Sequence, residues 1–110
     1  GDIIKQVPML LKGNIQEIFN RMSEIGFIAT YDLLTNGYSL QKQNNNQSTY
    51  FSRRKPSDSE ITVNEILSQS ADYLYNKIRM LTDPYPNAYI KDKNGNKVYI
   101  TNAYIKKETI

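Results

Sequence analysis

Arg53-Arg54-Lys55-Pro56 sets two guanidinium groups and an ammonium beside a proline of fixed φ. Arginine forks match phosphate oxygens two at a time, so the run suits a phosphate-bearing ligand. The same run also reads as a basic loop salt-bridged to Asp58 or Glu60, and chemistry alone favours that reading. A second cation, Arg79, sits five residues before the Pro84-Tyr85-Pro86 corner. It is readable as an anchor for that corner or for a ligand. The simpler reading, a cation placed well against the helix C-terminus and worth about 0.3–1 kcal/mol, is preferred. Nothing in the chain assembles a catalytic centre. There is no histidine and no cysteine, which removes thiol nucleophiles, disulfides, Cys/His metal sites and the commonest general base. Asp2, Asp58, Glu60, Asp83 and Asp92 are scattered through expected loops without a base at recognisable spacing. We therefore expect no catalytic residue and no metal site.

The elements that must position these residues can be read from spacing. Residues 3–10 are short and rich in branched apolar side chains, hence a strand, and Pro8 favours an edge or an exit position for its end of it. Asn14 fits an N-cap with Glu17 closing a capping box. Ile15, Ile18, Phe19, Met22, Ile25, Ala29 and Leu33 then repeat as one buried helical stripe that stops at Gly37. Gly26 inside that helix costs roughly 1 kcal/mol relative to Ala, which suggests a kink or close packing. Residues 41–49, dominated by Asn and Gln, read as a polar linker and as the domain boundary.

Beyond the linker, Thr62 and Glu65 spell a second capping box, and Ser70 caps a helix carrying Ala71, Leu74, Tyr75, Ile78 and Leu81. Pro84 ends it. Residues 88–91 and 97–101 flank Asn94-Gly95, the signature of a hairpin with a type I′ turn. Val98 and Ile100 should share one face, Tyr99 and Thr101 the other. Tyr73, Tyr75, Tyr85, Tyr89, Tyr99 and Tyr104 fall among apolar positions, so core or dimer packing is expected of most rather than base stacking.

Charge is too small to argue for a nucleic-acid protein, and in the second half it fits a phosphate-bearing small ligand, an RNA backbone or, at least as well, a solvated surface. The net charge is +3, and residues 1–49 balance four basic against four acidic side chains. The surplus lies in residues 50–110, which hold ten and seven. No apolar run approaches the ~20 residues of a membrane span, and no signal peptide is legible, so the cytoplasm is the expected compartment and no membrane partner is expected. Because the chain begins with Gly1, that residue reads either as internal to a longer gene product or as left over from tag removal.

Two stretches carry a family resemblance. Residues 50–61, Tyr-Phe-Ser-Arg-Arg-Lys-Pro-Ser-Asp-Ser-Glu-Ile, resemble the Arg-Arg-x-Pro-x-Asp segment of sugar-nucleotide N-formyltransferases. Ile78-Arg79-Met80-Leu81 with Pro84-Tyr85-Pro86-Asn87-Ala88-Tyr89 resembles the corner that follows it. Gly1-Asp2-Ile3-Ile4-Lys5-Gln6 looks like the tail of the family's Asp-x-Gly-Asp segment, and the helix from Asn14 to Asn36 is similar to the last long helix of its Rossmann-like domain. Ile61-Thr62-Val63 departs from the Ile-Asp-Trp step common there.

The resemblance implies an α+β architecture. Residues 1–40 would be the tail of a catalytic domain, with its edge strand and long helix. Residues 41–49 would link it to a C-terminal subdomain, 50–110, made of a helix and a β-hairpin. It implies formyl transfer from 10-formyltetrahydrofolate to an amino group of a sugar nucleotide. The catalytic Asn, His and Asp would lie outside this chain, which would bind no cofactor and be inactive alone. Arg53, Arg54 and Tyr85 would border the sugar-nucleotide site. Arg79, Pro84 and Pro86 would shape the corner, and the hairpin would contact a second copy in a homodimer. Methionyl-tRNA formyltransferases share the layout but usually lack the double arginine and carry a longer C-terminal barrel. Only about two dozen residues follow Pro86 here, which favours the sugar-nucleotide branch. A tRNA-acting fragment and a non-catalytic interaction module remain the alternatives; a nucleic-acid partner is not the expectation.

Overall fold

Helix α1, Ile15–Asn36, forms where the apolar repeat places it, starting directly after Asn14. It ends where Gly37 turns left-handed at φ 74° and donates its N–H to Leu33 O at 3.0 Å. The computed structural model describes residues 1–108. Their contacts group them into two compact units, residues 1–12 with 17–53, and residues 13–16 with 54 onward.

In the first unit the N-terminal segment forms one antiparallel bridge among the described residues, Ile3 with Gln41. The expected edge strand is thus reduced to a single rung, its two bonds 2.6 and 2.8 Å long. Pro8 has no N–H to give, and side chains fasten the segment instead. Lys5 Nζ meets Asp32 Oδ2 at 2.5 Å, and the Arg21 guanidinium donates to Leu10 O and Lys12 O. Residues 41–49 are exposed throughout, with one 3-10 turn at Asn45–Gln47 started by the Asn44 side chain.

The apolar stripe of α1 is only partly covered. Ile15 and Ile18 are buried, whereas Met22, expected inside, is exposed. Phe27, Tyr31 and Leu34 make a further stripe at i, i+4, i+7 that faces outward, Leu34 at 82 % exposure. Gly26 is not a site of close packing, because a Cβ built there meets no atom within 4 Å. Gly26→Ala should accordingly raise the stability of the chain by about 1 kcal/mol, read from chemical denaturation followed by circular dichroism.

The second unit contains α2 (Val63–Ser68), α3 (Ala71–Met80) and the strands β1 (Ala88–Lys91) and β2 (Lys97–Ile100). Both predicted caps form. Thr62 Oγ1 accepts Glu65 N at 3.1 Å while Glu65 Oε2 accepts Thr62 N at 2.8 Å, and Ser70 Oγ accepts Tyr73 N at 3.1 Å. The strands pair antiparallel, Ala88 with Ile100 through Lys91 with Lys97. Ile61 N donates to Tyr89 O at 2.7 Å, so the chain before α2 runs as a short parallel rung on the other side of β1. Ile61, Ile78, Leu81 and Ala88 form the core, closed by Leu74, Ile90, Ile100 and Ala103.

One expectation needs correction here. The hairpin turn is not type I′, because Gly95 (φ 86°) is the only turn residue with positive φ. Gly95 N donates to Asp92 O at 3.2 Å, and Asp92 N to Asn96 O at 2.9 Å, a type I turn followed by a left-handed glycine. The Asp92 carboxylate selects it by accepting the N–H groups of Asn94 and Asn96, each at 2.8 Å. Of the six tyrosines Tyr89 is buried in the core, its ring edge-on to Tyr99 at 5.7 Å, and the others are partly or largely exposed. A tyrosine keeps its hydroxyl wet at little cost, so helical or strand spacing alone does not bury it.

Candidate functional site

The basic run enters the 3-10 turn Pro56–Ser59, which Pro56 starts by fixing φ without needing a donor. Asp58 closes the turn: its Oδ2 accepts Lys55 N at 2.7 Å and its N–H reaches Lys55 O at 2.9 Å. Arg54 Nη2 lies 3.3 Å from Asp58 O, a carbonyl rather than a carboxylate. Glu60 is engaged with Lys91 at 3.0 Å. Neither acid therefore neutralises the arginines, and the salt-bridged loop that chemistry alone favours is not what forms. Among the described residues, no carboxylate stands within ion-pair distance of Arg53, Arg54 or Lys55. Arg53 closes the first unit and Arg54 opens the second.

The corner is braced from both sides. Leu81 caps α3, the Asp83–Pro84 peptide is cis, and Tyr85 N donates to Thr82 O at 3.0 Å. Asn87 Nδ2 donates to Leu81 O at 2.9 Å, and Ser59 Oγ, 2 % exposed, donates to Pro86 O at 3.0 Å. The Ser59 bond sets the turn that follows Arg54 against the corner that carries Tyr85, whose side chain is about half exposed. Ser59 and Asn87 lacked any sequence signal beyond lying near Pro residues. Arg79 holds the loop before α1: Nη1 donates to Gly13 O at 2.8 Å and Nε to Asn76 Oδ1 at 2.8 Å, with the guanidinium 5.9 Å from the Tyr75 ring centre. Thr82 Oγ1 is buried with no hydrogen-bond partner among the described residues. Thr82→Val removes that orphan at constant shape and should add about 1 kcal/mol of stability, measured as an upward shift of the unfolding midpoint.

The strongest polar cluster was only half legible. Glu65, seen in sequence as the return arm of a capping box, also accepts Lys77 Nζ at 2.7 Å and Tyr73 OH at 3.0 Å. Lys77, its side chain 9 % exposed, gives a further bond to Glu60 O at 2.6 Å. Burial is the largest influence on the Glu65 carboxyl and pushes it up. The bonds from Lys77, Thr62 and Tyr73, with the Lys77 charge, outweigh it and hold the group at about 2. The cluster fixes α2 on α3 and grips the Glu60 backbone, so it positions the turn rather than reacting.

One edge of the hairpin is open. Tyr89 gives its carbonyl to Ile61, so its main-chain groups point away from β2, and those of its partner Tyr99 point away from β1. The outer edge of β2 thus presents the N–H and C=O of Lys97 and Tyr99, with no backbone partner among the described residues. No helix there is long and apolar enough to cross a membrane.

Residues 56–110 match the family described as methionyl-tRNA formyltransferase, C-terminal domain. The chain belongs to this family. A solved methionyl-tRNA formyltransferase from Clostridium thermocellum is similar at 35 % identity and TM-score 0.71, over 91 % of this chain and 48 % of that one. A 4-N formyltransferase from Francisella tularensis is similar at 25 % identity and TM-score 0.65, over 97 % of this chain and 46 % of that one. The chain spans under half the length of either structure. The α+β architecture and the formyltransferase family both agree with the sequence reading, and the corner and hairpin lie inside the matched C-terminal domain.

Proposed function

We propose that these residues serve an N-formyltransferase that moves a formyl group from 10-formyltetrahydrofolate to an amine on a sugar nucleotide. The carrying observation is the uncompensated run Arg53-Arg54-Lys55, led into a turn that Ser59 fastens to the corner. A diphosphate supplies the negative charge this run lacks, and guanidinium forks suit it geometrically. Arg53, Arg54 and Tyr85 border the sugar-nucleotide site in this reading. Residues 1–40 belong to the catalytic domain's tail, 41–49 to the linker, and 50–110 to the C-terminal subdomain. The outward stripe Phe27, Tyr31 and Leu34 is consistent with a helix that packs on such a domain. The formyl-transfer residues lie elsewhere in the protein, which works in the cytoplasm. The open edge of β2 favours a homodimer through the hairpin, as unpaired strands seek partners.

A second reading has its own support. The 35 % identity to the Clostridium thermocellum enzyme favours methionyl-tRNA as acceptor. The test is formyl transfer by the whole gene product, supplied with 10-formyltetrahydrofolate and either amino-sugar nucleotides or methionyl-tRNA. Turnover on the nucleotide sugars alone supports the proposal. Turnover on methionyl-tRNA alone replaces it with the second reading. The 110 residues by themselves should give none with either acceptor.

A further inference from the structure

The chain holds two Asn-Gly pairs, Asn36-Gly37 and Asn94-Gly95, and the fold treats them differently. Both asparagines are exposed, so water reaches each. Asn36 is the last residue of α1, its Nδ2 bound to Asp32 Oδ1 at 2.8 Å and the next nitrogen, Gly37 N, bound to Leu33 O at 3.0 Å. The Asn94 side-chain amide makes no hydrogen bond among the described residues. Its following nitrogen, Gly95 N, makes one hydrogen bond among the described residues, a long 3.2 Å one to Asp92 O, with the Asp92 carboxylate also close to it. Gly95 also brings no Cβ to hinder approach, and a Cβ built there would meet open space.

We propose that Asn94 is a site of spontaneous deamidation, converting with time to isoaspartate and aspartate, and that Asn36 is protected from it. The Gly95 backbone nitrogen, giving up its proton, attacks Cγ of Asn94. The Cγ–Nδ2 bond breaks, and the side-chain nitrogen leaves as ammonia. The resulting five-membered succinimide is opened by water at either carbonyl. Attack at the former side-chain carbonyl restores an α-linked aspartate, and attack at the backbone carbonyl yields the β-linked isomer. Overall one amide and one water become one carboxylic acid and one ammonia. At Asn36 the same attack must first break the Gly37 helix bond and the Asp32 bond, against one weak bond at Asn94.

The consequence is local and directional. The β-linked product inserts a methylene into the main chain of a turn whose closure depends on Asp92 accepting from the Asn94 and Asn96 nitrogens. It also sets a new carboxylate beside that of Asp92. Ageing therefore loosens the hairpin at its tip, the end remote from the Ala88–Ile100 pair.

The test incubates the full 110-residue chain in mildly alkaline buffer and follows both sites by peptide mapping and mass spectrometry that separates isoaspartate from aspartate. A synthetic peptide of residues 90–98 sets the unrestrained rate. Conversion at Asn94 about tenfold faster than at Asn36 is expected, the ratio that one further hydrogen bond of ordinary strength imposes on a barrier. Comparable rates at the two sites overturn the inference. So does an Asn94 that stays intact while the peptide converts.

Discussion

Glu65→Gln should lower the unfolding free energy of the chain by about 2–3 kcal/mol, the scale of breaking a largely buried ion pair by removing one partner. Lys77, 9 % exposed, would keep its bond to Glu60 O but lose the charge that compensates it. Lys77→Met should cost less, because Glu65 retains the Thr62 and Tyr73 bonds. The double variant should cost less than the two single losses added together, since neither charge is then left alone. The pH dependence has a definite sign. The Glu65 carboxyl is held at about 2 in the folded chain against an ordinary 4.5. A depressed carboxylate stabilises above its unfolded value and loses that contribution as pH falls. Stability should be flat above about pH 5 and decline from there toward pH 2. In Glu65→Gln that decline should shrink. Urea titrations at neutral pH and at successive acidic steps read both effects; equal acid sensitivity in wild type and variant would refute the assignment.

This cluster also marks where sequence stops being informative. Thr62 and Glu65 are three residues apart, so local backbone geometry alone makes them a capping box, and the box forms. Lys77 is twelve residues from Glu65 and Glu60 a further five away, and only the packing of α2 on α3 brings them together. The hairpin strands were legible because alternation and Asn94-Gly95 are local signals. The turn type was not, because it depends on what the Asp92 carboxylate accepts. The basic run shows the same limit from the other side. Proximity in sequence suggests that Asp58 and Glu60 neutralise it, but the Pro56 turn commits Asp58 to backbone and the parallel rung carries Glu60 to Lys91. Arg79 reads in sequence first as a cation suited to the helix C-terminus; its bond to the Gly13 carbonyl, 66 positions away, carries no local signal.

That displaced neutralisation makes Arg53 and Arg54 the sharpest functional test. On the proposed sugar-nucleotide reading, Arg54→Ala in the whole gene product should raise KM for the sugar nucleotide by about 10–100-fold, the worth of a charge-assisted phosphate contact at roughly 1.5–3 kcal/mol. Arg53→Ala should act in the same direction. The turnover number should change far less, because binding a remote diphosphate contributes equally before and during formyl transfer. Arg54→Lys retains the charge without the fork and should recover only part of the loss. The distinction from a structural role lies in that split. Among the described residues Arg54 makes one hydrogen bond, to the Asp58 carbonyl at 3.3 Å, a weak bond whose removal should barely move the unfolding midpoint. An Arg54→Ala enzyme with unchanged KM for the nucleotide would remove the basic run from the site. One with a lowered midpoint and equally reduced turnover on every acceptor would reassign Arg54 to holding the turn.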